Sequence, residues 1–107
     1  MQAQRFTKKD WTLFRDKIAG WQENYMDRLT KEYIELLSSD TAPSDKFWAL
    51  DKRIKADKRK KGVRIQMSRS DLIYNIVDLI YEGAISMDDL EEFSDELKET
   101  VRFLMER

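Results

Sequence analysis

Apolar residues recur at steps of three and four along most of the chain, the pattern typical of amphipathic helices. The longest such run comprises Trp11, Phe14, Ile18, Trp21, Tyr25, Leu29, Tyr33, Leu36 and Leu37. Thr7, with Asp10 three residues later, supplies a capping pair just before this run. We therefore predict one helix from Lys8 to about Ser38, roughly 45 Å long at about 1.5 Å per residue. A kink or break is expected, if anywhere, at Gly20.

A loop and a second helix are predicted next. Residues 38–43 are small or polar and include the one proline of the chain, a composition typical of loops. Ser44 is expected to cap the second helix, and its cationic end is expected to stop at a left-handed Gly62. The predicted apolar face comprises Phe47, Leu50 and Ile54, with Trp48 beside them. Residues 63–67 alternate apolar and polar, which indicates an extended connector too short to imply a sheet.

Two further helices are predicted in the last third of the chain. The third should open at Ser68 or Ser70, carry the most apolar segment of the chain and end at Gly83. Ser86 and Asp89 form a second capping pair, which is expected to open a fourth helix. Its apolar face comprises Leu90, Phe93, Leu97, Val101 and Leu104. The predicted fold is a single all-α domain over residues 1–107, with the long first helix laid on a hairpin of helices three and four and helix two bracing one side.

The amino-acid composition argues against several classes of function. The chain has no Cys and no His, so it lacks the usual transition-metal ligands, the commonest general base and the thiolate nucleophile. Its three glycines are far apart, and a phosphate-cradling loop needs them clustered. We therefore expect a protein that is not an enzyme, with no catalytic residues, no cofactor and no metal.

Hydropathy argues against a membrane partner. No apolar stretch approaches the roughly 20 residues that a membrane-spanning helix needs. The first residues, Met1–Arg5, lack the apolar segment of a secretory signal, and the absence of Cys gives no sign of export. A cytoplasmic location is expected.

The net charge of -1 conceals two opposed blocks. Residues 44–69 carry ten Lys or Arg against three Asp or Glu, whereas residues 70–107 carry three against eleven. The first 43 residues are balanced, with seven of each sign. Such blocks either dock charged partners or pair with one another inside the fold.

The basic block predicts a nucleic-acid site. Lys52, Lys55 and Arg59 share a helix face at steps of three and four, and Trp48 is available to stack on a base. The full candidate set is Lys52, Arg53, Lys55, Arg59, Lys60, Lys61 and Arg64. The competing interpretation is that these cations complement the helix dipole, keep the protein soluble or pair with acidic helix four. The leading hypothesis is an accessory or regulatory protein that contacts nucleic acid through the basic helix.

The acidic block predicts a different partner. Its candidate set, taken as a strip on helix four, is Asp88, Asp89, Glu91, Glu92, Asp95, Glu96 and Glu99. Such a strip can imitate nucleic-acid phosphates and occupy a basic cleft, so the alternative function is a protein-binding adaptor or inhibitor. It is also the ordinary composition of a solvated helix N-terminus. A homodimer is expected too, because the other helices are too short to cover the first helix fully.

One segment has the frame of a calcium loop. From Asp78 to Asp89 the acid is first, Gly83 is sixth and an acid is twelfth, as in an EF-hand. The third position is Ile80, which offers no oxygen ligand. We predict instead a helix–turn–helix corner, in which Gly83 has positive φ, Ile85 is buried and Asp89 caps.

Four segments carry a resemblance to a family. They are Asp10–Arg15, Trp21–Met26, Asp45–Trp48 and Asp89–Leu97. They resemble short, uncharacterised bacterial proteins associated with mobile elements and sometimes labelled as multidrug transporters. The resemblance implies a bacterial accessory protein and brings no functional residues with it.

Overall fold

A computed structural model of the chain describes residues 5–106, and this part of the chain is helical with no β-strand. The four α-helices are α1 (Lys8–Leu37), α2 (Pro43–Asp57), α3 (Leu72–Tyr81) and α4 (Asp95–Met105). Two 3-10 turns, Arg69–Asp71 and Met87–Leu90, lie before and after α3. The predicted all-α fold is confirmed. So is the long first helix, which runs through Gly20 without a break.

The molecule is elongated because α1 extends beyond most of its neighbours. Its extents are 56 × 23 × 23 Å and its radius of gyration is 16.7 Å, whereas a compact chain of about 100 residues has about 13 Å. The first half of α1 packs with α3 and α4, and we call this part the head (residues 6–21 and 64–105). The second half packs mainly with α2, and we call this part the arm (residues 22–63).

The head contains the hydrophobic core. Its fully buried apolar side chains come from α1, α3, α4 and the turn between the last two: Phe14, Leu72, Ile76, Leu79, Leu90, Leu97 and Val101. Trp21 packs edge-on against Phe14 (6.0 Å between ring centroids) and stacks near Phe93 (6.3 Å). The most apolar predicted segment is therefore the centre of the core, as expected.

Asp10 joins the first turns of α1 and α4. The predicted capping box is confirmed, since the Asp10 N–H donates to the Thr7 hydroxyl (3.1 Å) and the Thr7 N–H donates to the Asp10 carboxylate (2.9 Å). The same carboxylate accepts from the Ser94 N–H (2.8 Å) and hydroxyl (2.6 Å), while Ser94 caps α4 by accepting from the Leu97 N–H. Burial alone would raise the pKa of Asp10, but the hydrogen bonds from Ser94 and Thr7 outweigh it and lower the pKa.

The start predicted for the fourth helix is wrong. The Ser86–Asp89 capping pair forms, with the Ser86 N–H donating to the Asp89 carboxylate (2.8 Å), but it opens only a 3-10 turn. The helix begins at Asp95, because Ser94 caps it and is fixed by Asp10. Leu90 and Phe93, predicted on the helix, are buried in the connection before it.

Two predictions about α2 are also wrong. Ala42 and Pro43 begin the helix in place of a capping Ser44, since proline suits the first helical turn, where its missing N–H is not needed. Gly62 is not left-handed, and among the described residues positive φ occurs only at Gly83. Gly62 is required for space instead, because a Cβ there would overlap the Tyr25 ring.

The corner after α3 is confirmed. Gly83 has a φ of 81° and Ile85 is buried. The first four positions of the calcium-loop frame are the last turn of α3, and the Asp78 carboxylate pairs with Lys61 (3.2 Å). This segment therefore has the geometry of a helix–turn–helix corner.

Candidate nucleic-acid interface on helix α2

Helix α2 lies antiparallel to the second half of α1. Arg53 pairs with Glu32 (2.7 Å), and the Tyr33 hydroxyl donates to Asp57 (2.5 Å). Lys46, Leu50, Arg53 and Asp57 follow one another at steps of four, three and four, all are at least half-buried, and the last two bond to α1. The helix therefore presents a largely polar face to its neighbour.

The predicted apolar face of α2 is wrong. Phe47 is 63% exposed and Ile54 is 37% exposed, and only Leu50 is half-buried. The reason is that Arg53 and Asp57 make specific bonds to α1, which turn Phe47 and Ile54 about 100° away from the contact. Hydrophobicity alone did not set the rotation of this helix.

A polar network holds the arm together. Asp57 is buried and accepts from Tyr33, with Arg53 at 3.5 Å and Lys60 at 3.7 Å. The Arg53 guanidinium also lies over the Tyr33 ring, 5.4 Å from its centroid. Burial and the Asp57 carboxylate raise the pKa of Tyr33 to about 12, and the bond to Glu32 raises the pKa of Arg53. Arg53 therefore belongs to the structural contact between α1 and α2, and Lys60 supports it through its pair with Asp57.

Lys61 lies where the arm meets the head. Its ammonium group pairs with Asp78 and donates to Asn75 (3.3 Å), both on α3. The backbone N–H groups of Lys61 and Gly62 donate to Glu82 (2.9 and 3.1 Å), and Gln22 donates to the Lys61 carbonyl (3.0 Å). Lys61 thus fixes the turn after α2.

The outer face of α2 carries the remaining candidate residues. Trp48, Lys52, Lys55 and Arg59 follow one another at steps of four, three and four, opposite the face that contacts α1, and all four are exposed. Lys55 makes only a surface pair with Asp51 (2.9 Å). Within residues 5–106, Lys52, Arg59 and Arg64 form no ion pair.

Trp48, predicted to be available for stacking on a base although outside the candidate set of cations, lies at the start of this row. Its side chain is 64% exposed and packs edge-on against Phe47, with ring centroids 4.9 Å apart. The spacing that joins it to Lys52 was visible in the sequence. Its exposure was not, because the rotation of α2 depends on the bonds of Arg53 and Asp57.

The acidic residues do not form a strip on one helix, which corrects that prediction. Asp88 and Asp89 lie in the 3-10 turn, Glu91 and Glu92 follow it, and Asp95, Glu96 and Glu99 are on α4. Lys17 pairs with Glu92 (2.8 Å), and this bond lowers the pKa of the Glu92 carboxyl. The residues before α4 border an open groove lined by Lys17, Trp21, Asp88, Asp89, Glu91 and Glu92.

The two charged blocks meet at Lys61, which pairs with Asp78 on α3, but the basic block does not pair with the acidic residues of α4. Among the described residues, the ion pairs of the basic block reach α1, α3 and α2 itself, and none reaches α4. On α1, Lys17 pairs with Glu92 of the acidic block and Glu32 pairs with Arg53 of α2. Lys17 and Glu32 are roughly 22 Å apart along the helix. That separation exceeds the Debye length of about 8 Å at physiological salt, so the acidic residues exert little repulsion at α2.

The described chain offers no other obvious chemistry. In residues 5–106 no three Asp or Glu side chains come together in a way that could hold a metal ion. None of the helices in this range is long and apolar enough to cross a membrane. No protein-family model matches the chain, and comparisons with curated proteins and with solved structures also give no match.

Proposed function

We propose that this protein is a non-enzymatic accessory protein that binds nucleic acid through the outer face of α2. The observation that supports this is the row formed by Trp48, Lys52, Lys55 and Arg59, which is exposed along its whole length and faces away from α1. Three cations and one aromatic ring in a line suit a charged backbone with bases attached. A cytoplasmic location, where nucleic acid is available, is part of the proposal.

Single strands are the preferred form. The Trp48 indole is a flat stacking surface, and only unpaired bases present their faces to it. A duplex offers phosphates to Lys52, Lys55 and Arg59 but leaves the indole without a partner. The row contains no side chain fixed by the fold in a position to read base edges, so affinity should depend little on sequence.

Salt gives a quantitative test. If the three cations neutralise three phosphates, the logarithm of the binding constant should fall against the logarithm of salt concentration with a slope of about −2.1 on a single strand. Fluorescence anisotropy of a labelled oligothymidine, titrated with protein at several salt concentrations, measures this slope. Competition with an unlabelled duplex of the same length measures the preference for single strands.

Matched variants locate the site. The pair Lys52→Glu and Lys55→Glu should weaken binding at least about 10-fold, because two phosphate contacts become repulsive. Lys8→Glu with Lys31→Glu makes the same change in net charge outside α2, and should have a much smaller effect. Trp48→Ala should weaken binding by about 5- to 100-fold on a single strand, the range expected for one stacked base.

Two results would overturn the proposal. One is no binding at about 20 mM salt, where such an interface is strongest. The other is equal loss of affinity in the α2 pair and in the control pair, since it would mean that only net charge matters. Urea denaturation of each variant checks that the fold is intact, which the exposure of Lys52 and Lys55 leads us to expect.

A further inference from the structure

One side of the arm is an exposed apolar surface, and we propose that a second copy of this chain covers it. The surface, which we call the apolar side, comprises Ile34, Leu37, Phe47 and Ile54. Ile34 and Phe47 are each 63% exposed, Leu37 is 44% exposed and Ile54 is 37% exposed. This inference does not depend on the binding of nucleic acid.

The four residues lie on the same side of the hairpin for a geometric reason. Each of them directly follows a half-buried residue, namely Tyr33, Leu36, Lys46 or Arg53, and Tyr33 and Arg53 bond across the α1–α2 contact. One residue turns a helix by about 100°. In two antiparallel helices that face each other, this turn carries the next residue to the same side of the pair. Trp48 borders the surface through its contact with Phe47.

The size of the surface fits a dimer. The four residues and Trp48 together expose apolar area on the order of 500 Å², near the top of the range that monomers leave uncovered. A standard interface buries about 800 Å² from each partner. One side of a two-helix hairpin about 22 Å long and about 20 Å wide, with its polar rim, supplies this.

The positions of these residues along the hairpin indicate a second copy as the occupant. Ile34 follows Tyr33 on α1 and Ile54 follows Arg53 on α2, and Arg53 bonds to Glu32, so Ile34 and Ile54 lie at about the same level of the arm. A two-fold axis along the arm would place α1 of each copy over α2 of the other, with Ile34 near Ile54 of the second copy. The arm portion of α1, residues 22–37, carries four acids and two cations, whereas residues 52–61 carry seven cations and one acid. The surface is therefore complementary to itself in its apolar residues, and this arrangement also brings an acidic helix near a basic one.

Sedimentation of single variants tests the apolar contact. Wild-type protein should be dimeric at tens of micromolar, and Phe47→Glu should raise the dissociation constant at least about 100-fold, because each dimer would bury two carboxylates. Tyr74→Glu is the matched control, since Tyr74 is also 63% exposed but lies on the head. This control variant should change the dissociation constant of the dimer by less than about 3-fold. Far-ultraviolet circular dichroism confirms that both variants keep their helices.

The same measurement can overturn the proposal. Wild-type protein that remains monomeric at about 100 µM would do so. So would a dimer that Phe47→Glu leaves intact, or one that Tyr74→Glu weakens as much as Phe47→Glu does.

Discussion

The head and the arm share one helix but stabilise it in different ways. In the head, α1 packs with α3, α4 and their connection, and Phe14 is fully buried among apolar side chains. In the arm, α1 packs mainly with α2, and the central contact is the buried Asp57 with Tyr33 and Arg53. Two helices can enclose little apolar surface by themselves, because each helix has only one neighbour. The arm therefore buries only Tyr25 and Leu29 among its large apolar side chains, relies on polar bonds as well, and leaves five large apolar residues exposed.

This difference supports placing both proposed contacts on the arm. Five of the nine exposed large hydrophobic residues lie in the arm, although the arm contains fewer than half of the residues. Lys52 and Arg59, the two cations of the proposed row that form no ion pair among the described residues, are on the same hairpin. The head is the stable support, and the arm is the part left available for contact.

The largest expected change in stability comes from truncating a buried leucine in the head, and the same truncation in the arm should cost less. Leu97→Ala in the head should lower the free energy of unfolding by about 3–4 kcal/mol, since Leu97 is fully buried and its loss leaves a cavity. Leu50→Ala in the arm should lower it by about 1 kcal/mol, because Leu50 is only half-buried. Urea denaturation measures both. Equal losses would contradict the distinction between head and arm.

The next effect concerns the bond between α1 and α4. Asp10→Asn should lower the free energy of unfolding by about 2–3 kcal/mol, because an amide cannot accept all the bonds that Thr7 and Ser94 donate. Asp16→Asn on the exposed side of α1 is the control, with an expected change below about 0.5 kcal/mol.

The same variant should change the response to acid. The pKa of Asp10 is lowered on folding, so its stabilisation is complete above the unfolded pKa of about 3.9 and is lost as the pH falls through the folded value. Wild-type protein should therefore lose more stability below about pH 4 than Asp10→Asn does. Parallel pH profiles of the two proteins would contradict this role.

A smaller effect is expected at the corner where head and arm meet. Gly83 has positive φ, and its carbonyl accepts from Arg28 of the arm (2.6 Å). Gly83→Val should lower the free energy of unfolding by about 1–2 kcal/mol through backbone strain. Gly20→Ala, in the middle of α1 with nothing within 4 Å of the added carbon, should raise it by up to about 1 kcal/mol. Denaturation midpoints that move in the same direction would contradict this contrast.

The smallest effect tests the polar network of the arm. Tyr33→Phe removes the hydroxyl that donates to Asp57 and should cost about 1 kcal/mol. The pKa of Tyr33 is raised to about 12, so its contribution is complete below the unfolded pKa of about 10 and is lost as the pH rises to about 12. Hydrogen exchange should accelerate in α2 but not in α3. Uniform acceleration would mean that the arm does not open separately from the head.

Local signals in the sequence predicted several elements well. Thr7 and Asp10 marked the start of α1, and Gly83 marked the corner after α3, because capping and positive φ depend on residues close together in the chain. The most apolar segment was also predicted correctly as the centre of the core. A helix that is apolar on most of its faces is buried whichever way it is rotated.

The start of α4 and the rotation of α2 escaped prediction because both depend on distant residues. Asp10 fixes Ser94 from 84 positions away, and Glu32 and Tyr33 orient α2 from more than 20 positions away. Among the nucleic-acid candidates, the sequence predicted correctly that Lys52, Lys55 and Arg59 share one face of the helix. It did not predict that Arg53, Lys60 and Lys61 form structural contacts.

The sequence by itself determined an all-helical chain, the length of α1, the apolar centre of the head and the separation of charge along the chain. Each of these follows from residue type and spacing within a few turns of helix. Only the tertiary structure decided which face of α2 meets α1, and therefore that Phe47 and Trp48 are exposed. That choice depended on two hydrogen-bonded contacts between helices, Arg53 with Glu32 and Tyr33 with Asp57, whose gain outweighed the burial of an aromatic ring that a lone neighbouring helix could cover only in part.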